Sequence, residues 1–111
     1  MRATIDVIEA ELGDARLIRR WPAEAGGFII CSYWLVECLA LAGELGRARK
    51  WFEQATSFAN DLGLLAEEGD VHSQELLGNF PQAFSHVGLI NAAWRLTEAT
   101  AKSDSVTKGA V

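Results

Sequence analysis

The sequence predicts an all-α chain whose four helices form part of a double ring, inner helices wrapped by outer ones. Three observations lead there. Four stretches carry helical periodicity, and glycines end the first two. Their apolar content alternates along the chain: amphipathic, apolar on nearly every side, amphipathic, then nearly uncharged over its first ten residues. A simple four-helix bundle wants four comparable stripes, so the alternation suits two layers better.

The first helix is expected from Thr4 to Leu12, with Ile5, Ile8 and Leu12 on one face and Gly13 as its stop. A loop containing Pro22 and Ala25-Gly26-Gly27 leads to the second helix, Cys31 to Ala42, with Ser32 as a cap near its start. Only Glu37 is strongly polar between Tyr33 and Leu41, which implies burial on every side. The third helix, Arg47 to Asn60, carries the stripe Ala48, Trp51, Phe52, Ala55, Phe58 and Ala59 against a polar face. The fourth starts at Phe84 or Ser85 and ends at Ala99, with Val87, Ile90, Trp94 and Leu96 as its apolar set. Trp34, Trp51 and Trp94 are assigned to the core. Residues from Ala101 read as a polar, frayed tail.

One segment does not suit a small bundle. About two dozen residues, Asp61 to Ala83, separate the last two helices, and loops beyond about 12 to 15 residues are often functional. This one is rich in acids: Asp61, Glu67, Glu68, Asp70 and Glu75.

Composition removes several functions. A net charge of -5 disfavours nucleic acid as a partner. The clusters Arg16, Arg19, Arg20 and Arg47, Arg49, Lys50 read as solvated faces. No segment has the roughly 18 apolar residues of a membrane span, and the acidic N-terminus lacks a signal-peptide core. A cytoplasmic protein is expected. Cys31 and Cys38 lie seven residues apart on one helix, roughly 10 Å, so they should be free, small buried residues. His72 and His86 belong to no metal-binding pattern, and no phosphate-binding or dinucleotide motif is present, so neither metal nor cofactor is expected. Ser85 beside His86 is not triad geometry, because adjacent helical residues diverge. On these grounds alone, Glu67 and Glu68 read as loop charges rather than as catalytic groups.

The segments GFIICSYWLVE, LLAEEGD and NFPQAFSH, in this order and spacing, resemble the end of bacterial family 15 glycoside hydrolases, the glucoamylase-like and trehalase-like enzymes. The resemblance covers residues 24 to 96. It implies an (α/α)6 barrel, of which this chain would supply the last two helical pairs, with residues 1–100 belonging to the catalytic domain and 101–111 to a disordered tail. It implies hydrolysis of α-glucosidic bonds with inversion, on an α-glucan or α-glucoside substrate. Inversion needs two carboxyl groups about 6.5–9.5 Å apart, one an acid and one a base. The family's base is the Glu of an Ala-Glu motif, which here is Glu67 after Ala66. Glu68 beside it supports the loop or touches substrate. Asp70 matches a recurring acidic position. Phe28 matches an aromatic lining the sugar pocket, with core packing as the alternative. Phe84, Ser85 and His86 match the start of the last inner helix at the site's mouth. Phe84 and His86 are assigned to substrate contact, with a hydrogen-bonded structural role as the alternative for His86.

Two departures stand out. Ala23-Glu24-Ala25-Gly26 replaces a Gly-Glu-Gly-like stretch, which puts a sugar contact from Glu24 in question. Gly69 replaces an apolar β-branched residue, which would loosen the loop. The family's general acid lies upstream of anything in this sequence, so a complementary N-terminal segment is the implied partner. Two rivals remain: a helical-hairpin interaction module, which lacks the 34-residue repeat it would need, and a sugar-binding half-barrel without turnover.

Overall fold

The computed structural model describes residues 1–14 and 16–109, with side chains of the last helix described through Ser105. Four helices carry the chain: α1 (Arg2–Leu12), α2 (Ile29–Leu41), α3 (Leu45–Thr56) and α4 (Ala83–Gly109). The four predicted helices are all present. The last one runs ten residues past its expected end, through the stretch read as a polar tail. The final two positions of that expected tail, 110 and 111, lie outside the described residues.

The chain is not all-α. Five two-residue strands join the loops between helices: β1 (Gly13–Asp14), β2 (Leu17–Ile18), β3 (Gly27–Phe28), β4 (Glu68–Gly69) and β5 (Leu76–Leu77). They form one antiparallel meander in the order β1-β2-β3-β4-β5. Such strands are too short to show period-two alternation, so hydropathy could not reveal them. They form because backbone groups in partly buried loops must find partners. The 61–83 connection thus contains a short hairpin, Glu68 to Leu77. Register is set by Gly27↔Gly69, Phe28↔Glu68, Glu68↔Leu77 and Gly69↔Leu76.

Helix α2 is central and packs mainly on α4 and α3. Ile29, Tyr33, Val36 and Leu39 are fully enclosed. Ser32 does not cap the helix, which Phe28 precedes without a side-chain cap. Its buried hydroxyl instead accepts the Ile18 N–H at 2.8 Å and donates to Phe28 O at 3.2 Å, fastening β2 to the first turn. On α3 the predicted stripe holds: Ala48, Trp51 and Ala55 are buried, and Phe58 packs just beyond the helix end. The α1 helix is tied on by polar contacts. Glu9 accepts from Trp51 Nε1 at 3.1 Å and pairs with Arg47, which also meets Asp6 at 3.0 Å.

Three core assignments are corrected. Helix α2 is not covered on every side: Trp34 and Leu41 are more than half exposed, and Cys38, expected buried, is exposed too. Both cysteines are free. On α4 three of the four expected apolar residues point outward, with Val87, Ile90 and Trp94 exposed by half or more, while Leu96 is buried as expected. Its packing face is instead built from small residues. Ser85 and Ala92 are buried, and a Cβ added at Gly88 would meet Ile30 Cγ1 at 3.1 Å and Tyr33 Cβ at 3.3 Å. Helices can approach closely only where side chains are small, so the large residues were left for the opposite face. Of the three tryptophans assigned to the core, only Trp51 is there.

Candidate active site

The meander brings β3 and β4 beside the first turn of α4, and most of the candidate residues meet there. Glu67 directly precedes β4. Its N–H donates to Asn79 O at 2.9 Å, and its carbonyl accepts the Ile29 N–H at 3.1 Å. One carboxylate oxygen, Oε2, faces Asn79 Nδ2 at 3.3 Å and Gln82 Nε2 at 3.5 Å, the second contact being marginal. The other oxygen, Oε1, lies over Gly78: a Cβ at that position would stand 2.8 Å from it. The carboxylate also lies beside the start of α4, where the positive end of the helix dipole favours negative charge.

Glu67, Phe28, Ile30, Gln82, Phe84 and Ser85 line a cleft of about 30 Å³. That is room for a water and not for a sugar ring. Larger depressions lie elsewhere. One of about 290 Å³ between α1 and α2 is walled by Ile5, Ile8, Leu12, Trp34 and Leu35, and offers almost no polar partner.

Glu68 makes different contacts, as successive strand residues do. It faces Arg20 at 3.4 Å. Arg20 is the hub of this side: its Nε donates to Glu24 Oε1 at 2.7 Å, and its N–H donates to Glu24 Oε2 at 2.7 Å. The guanidinium also stacks on Trp21 at 4.5 Å and on Phe28 at 4.3 Å. Glu24 and Glu68 therefore share one cation, and their ionisation diverges. Burial opposes ionisation of Glu24, but its hydrogen bonds from Arg20 outweigh this and hold its carboxyl below the usual range. Burial, then the neighbouring Glu24, pushes Glu68 up.

The structure thus groups Glu67, Phe28 and Phe84 around one cleft and sets Glu68 behind it. Phe28 is half-buried and lies outside the main core cluster. His86 turns inward, its Nε2 accepting the Leu65 N–H at 3.1 Å. Asp70 lies away from the cleft, at the hairpin tip, where its Oδ1 accepts from the His72 and Ser73 N–H groups. These bonds lower its pKa. Gly69 does not loosen the loop: it is buried, and a Cβ there would stand 2.6 Å from the Phe58 ring, which fills that space.

Sequence reasoning missed Arg20, set aside as part of a solvated basic face. Its signal was the neighbouring Trp21 with a carboxylate four residues on. It also missed Asn79 and Gln82, the two amides inside NFPQAFSH. Among the described residues no cluster of His, Cys, Asp and Glu could hold a metal ion, and no helix is long and apolar enough to cross a membrane.

Comparison with known proteins gives this arrangement a context. The trehalase of Mycobacterium tuberculosis is 42% identical over 114 residues, covering 95% of this chain and 17% of that protein. The trehalase of Mycolicibacterium smegmatis is 41% identical over 114 residues with the same coverage, and that of Thermoplasma volcanium 40% over 109 residues, covering 92% of the chain and 18% of the protein. The chain therefore spans less than a fifth of the length of these curated relatives. No solved structure matches it. The family described as glycosyl hydrolases family 15 matches residues 19–94, a stretch that begins beside Arg20 and takes in the cleft, its amides and the first three turns of α4. With two thirds of its length and every group around Glu67 inside that match, the chain belongs to glycosyl hydrolase family 15.

Proposed function

We propose that the chain is a segment of an inverting α-glucoside hydrolase, in which Glu67 is the general base. One observation carries the reading. Glu67 is oriented by two side-chain amides and lies beside the helix start, on a cleft sized for a water. A base must hold its carboxylate against a water and take a proton as that water's oxygen attacks the anomeric carbon. A second carboxyl must donate a proton to the leaving oxygen. Glu24 and Glu68 are committed to Arg20, and Glu75 lies at the far end of the hairpin tip. The acid is therefore assigned to a segment of the enzyme outside this sequence. That segment would also cover the exposed faces of α2 and α4, which would serve as inner helices of an (α/α)6 ring, with residues 1–100 belonging to its catalytic domain.

Phe28 and Phe84 would present ring faces to the sugar, and Arg20 would hold Phe28 in place. An α-glucoside is the substrate class, and trehalose is favoured over longer glucans because the relatives above are named trehalases. The test is Glu67→Gln in a hydrolytically active assembly containing this chain. Turnover should fall by roughly 10²–10⁴-fold while substrate affinity is kept, because the amide preserves shape and cannot accept the proton. Turnover within a few-fold of the parent would remove Glu67 from the role.

A further inference from the structure

We propose that Ser85 and His86 are positioning residues for Glu67, and that His86 acts through an unprotonated Nε2. The proposal rests on the reading of Glu67 as the base. The segment Leu65-Ala66-Glu67 runs past the start of α4, and the groups just ahead of Glu67 are all fastened to that one turn. The Gln82 N–H donates to Leu65 O at 2.9 Å. The Ser85 hydroxyl donates to Ala66 O at 2.7 Å in a buried bond. The Leu65 N–H donates to His86 Nε2 at 3.1 Å. Residues 82, 85 and 86 are spaced i, i+3 and i+4, so they share one face of the turn and meet the segment together. Leu65 and Ala66 are fully buried, so no water competes for these groups.

Two of the three anchors are side chains, and each fixes a residue adjacent or nearly adjacent to Glu67. Helix α4 is held independently of both anchors at Gly88, which packs against Ile30 and Tyr33 of α2. Removing a side-chain anchor therefore frees the approach to Glu67 without undocking the helix. To accept from an amide, His86 Nε2 must carry a lone pair, so the ring proton sits on Nδ1. That nitrogen is then occupied, and the imidazole acts on the site through the backbone rather than by a sugar contact from Nε2.

The first experiment needs no catalysis. Amide hydrogen exchange is followed by mass spectrometry, with fragmentation that isolates the Leu65 amide, on the 111-residue chain and its Ser85→Ala, His86→Ala and His86→Gln variants. The method tolerates an oligomeric sample. His86→Ala should speed Leu65 exchange by about tenfold, the size of one net hydrogen bond, with helix α4 still protected. His86→Gln, whose side-chain oxygen reaches about where Nε2 lies, should restore protection. In an active assembly, kcat should drop by about ten- to a hundredfold in His86→Ala and Ser85→Ala, with KM within about threefold, as expected for a misplaced base. His86→Gln should recover most of it. Unchanged Leu65 exchange in His86→Ala overturns the proposal. So does a parent-like kcat in that variant when Glu67→Gln is inactive. Parent-like turnover in Glu67→Gln would instead remove the base reading, and the exchange data would judge the anchoring by themselves.

Discussion

Gly78→Ala isolates the geometry of Glu67 from the stability of its loop. Gly78 has φ of +74°, and an added Cβ would stand 2.8 Å from Glu67 Oε1 and 3.0 Å from Glu67 Cβ. Gly63 provides the matched control: its φ is +78°, and nothing lies within 4 Å of an added Cβ. Both alanine variants carry the left-handed backbone penalty of about 1–2 kcal/mol. Only Gly78→Ala must also move the carboxylate. Ordinary contact begins near 3.4 Å, so Oε1 must retreat by about 0.6 Å. If a 1 Å misplacement can cost about 10²-fold, a shift of this size corresponds to roughly tenfold in turnover. The expected pattern is two similar losses in melting temperature and one loss in activity. The assay pairs thermal unfolding with glucose release from trehalose in an active assembly. Equal turnover in the two variants would refute the claim that Gly78 is kept small for Glu67.

Phe28→Ala should weaken sugar affinity more than it lowers the melting temperature, since the ring lies outside the main core; a large stability loss with unchanged affinity would make it a packing residue. The Tyr33 phenol is fully enclosed, and burial pushes its pKa up to about 12, against the opposing pull of the Thr56 hydrogen bond. The unfolded chain ionises near pH 10 and the folded one does not, so stability should fall from pH 10 upward. The loss reaches about 2 kcal/mol by pH 12, and Tyr33→Phe should flatten it; an identical alkaline slope in both proteins would contradict this. The isolated chain exposes Phe84, Val87, Ile90 and Trp94 along α4 and should associate in sedimentation while releasing no glucose from trehalose, maltose or starch. A monodisperse monomer with Glu67-dependent hydrolysis would overturn that expectation.

The helices were legible because their periodicity is strong, and the stripe of α3 reads directly as its buried face. The orientation of α4 was not. Hydropathy weights Val87, Ile90 and Trp94 above Ser85, Gly88 and Ala92, yet interhelical distance is set by the small residues. The meander escaped notice because two residues cannot display alternation, although Gly27 and Gly69 marked the close strand crossing. Glu67 was reached through resemblance rather than spacing, since two adjacent glutamates look alike in sequence. What separates them is their partners, amides on one side and Arg20 on the other, and those partners come from distant parts of the chain.

The pairing of β4 with its neighbours also limits how the chain can change in length. Residues added at the hairpin tip, 70–75, leave Phe28↔Glu68 and Glu68↔Leu77 in place, and the tip can lengthen with little effect on the cleft. A single residue inserted between Ala66 and Glu68 cannot be absorbed in the same way. Either it bulges out, or the strand slips and presents the wrong glutamate to the amides. Insertions and deletions are therefore tolerated at one end of this hairpin and excluded at the other, and the boundary between the two regimes falls within four residues of Glu67.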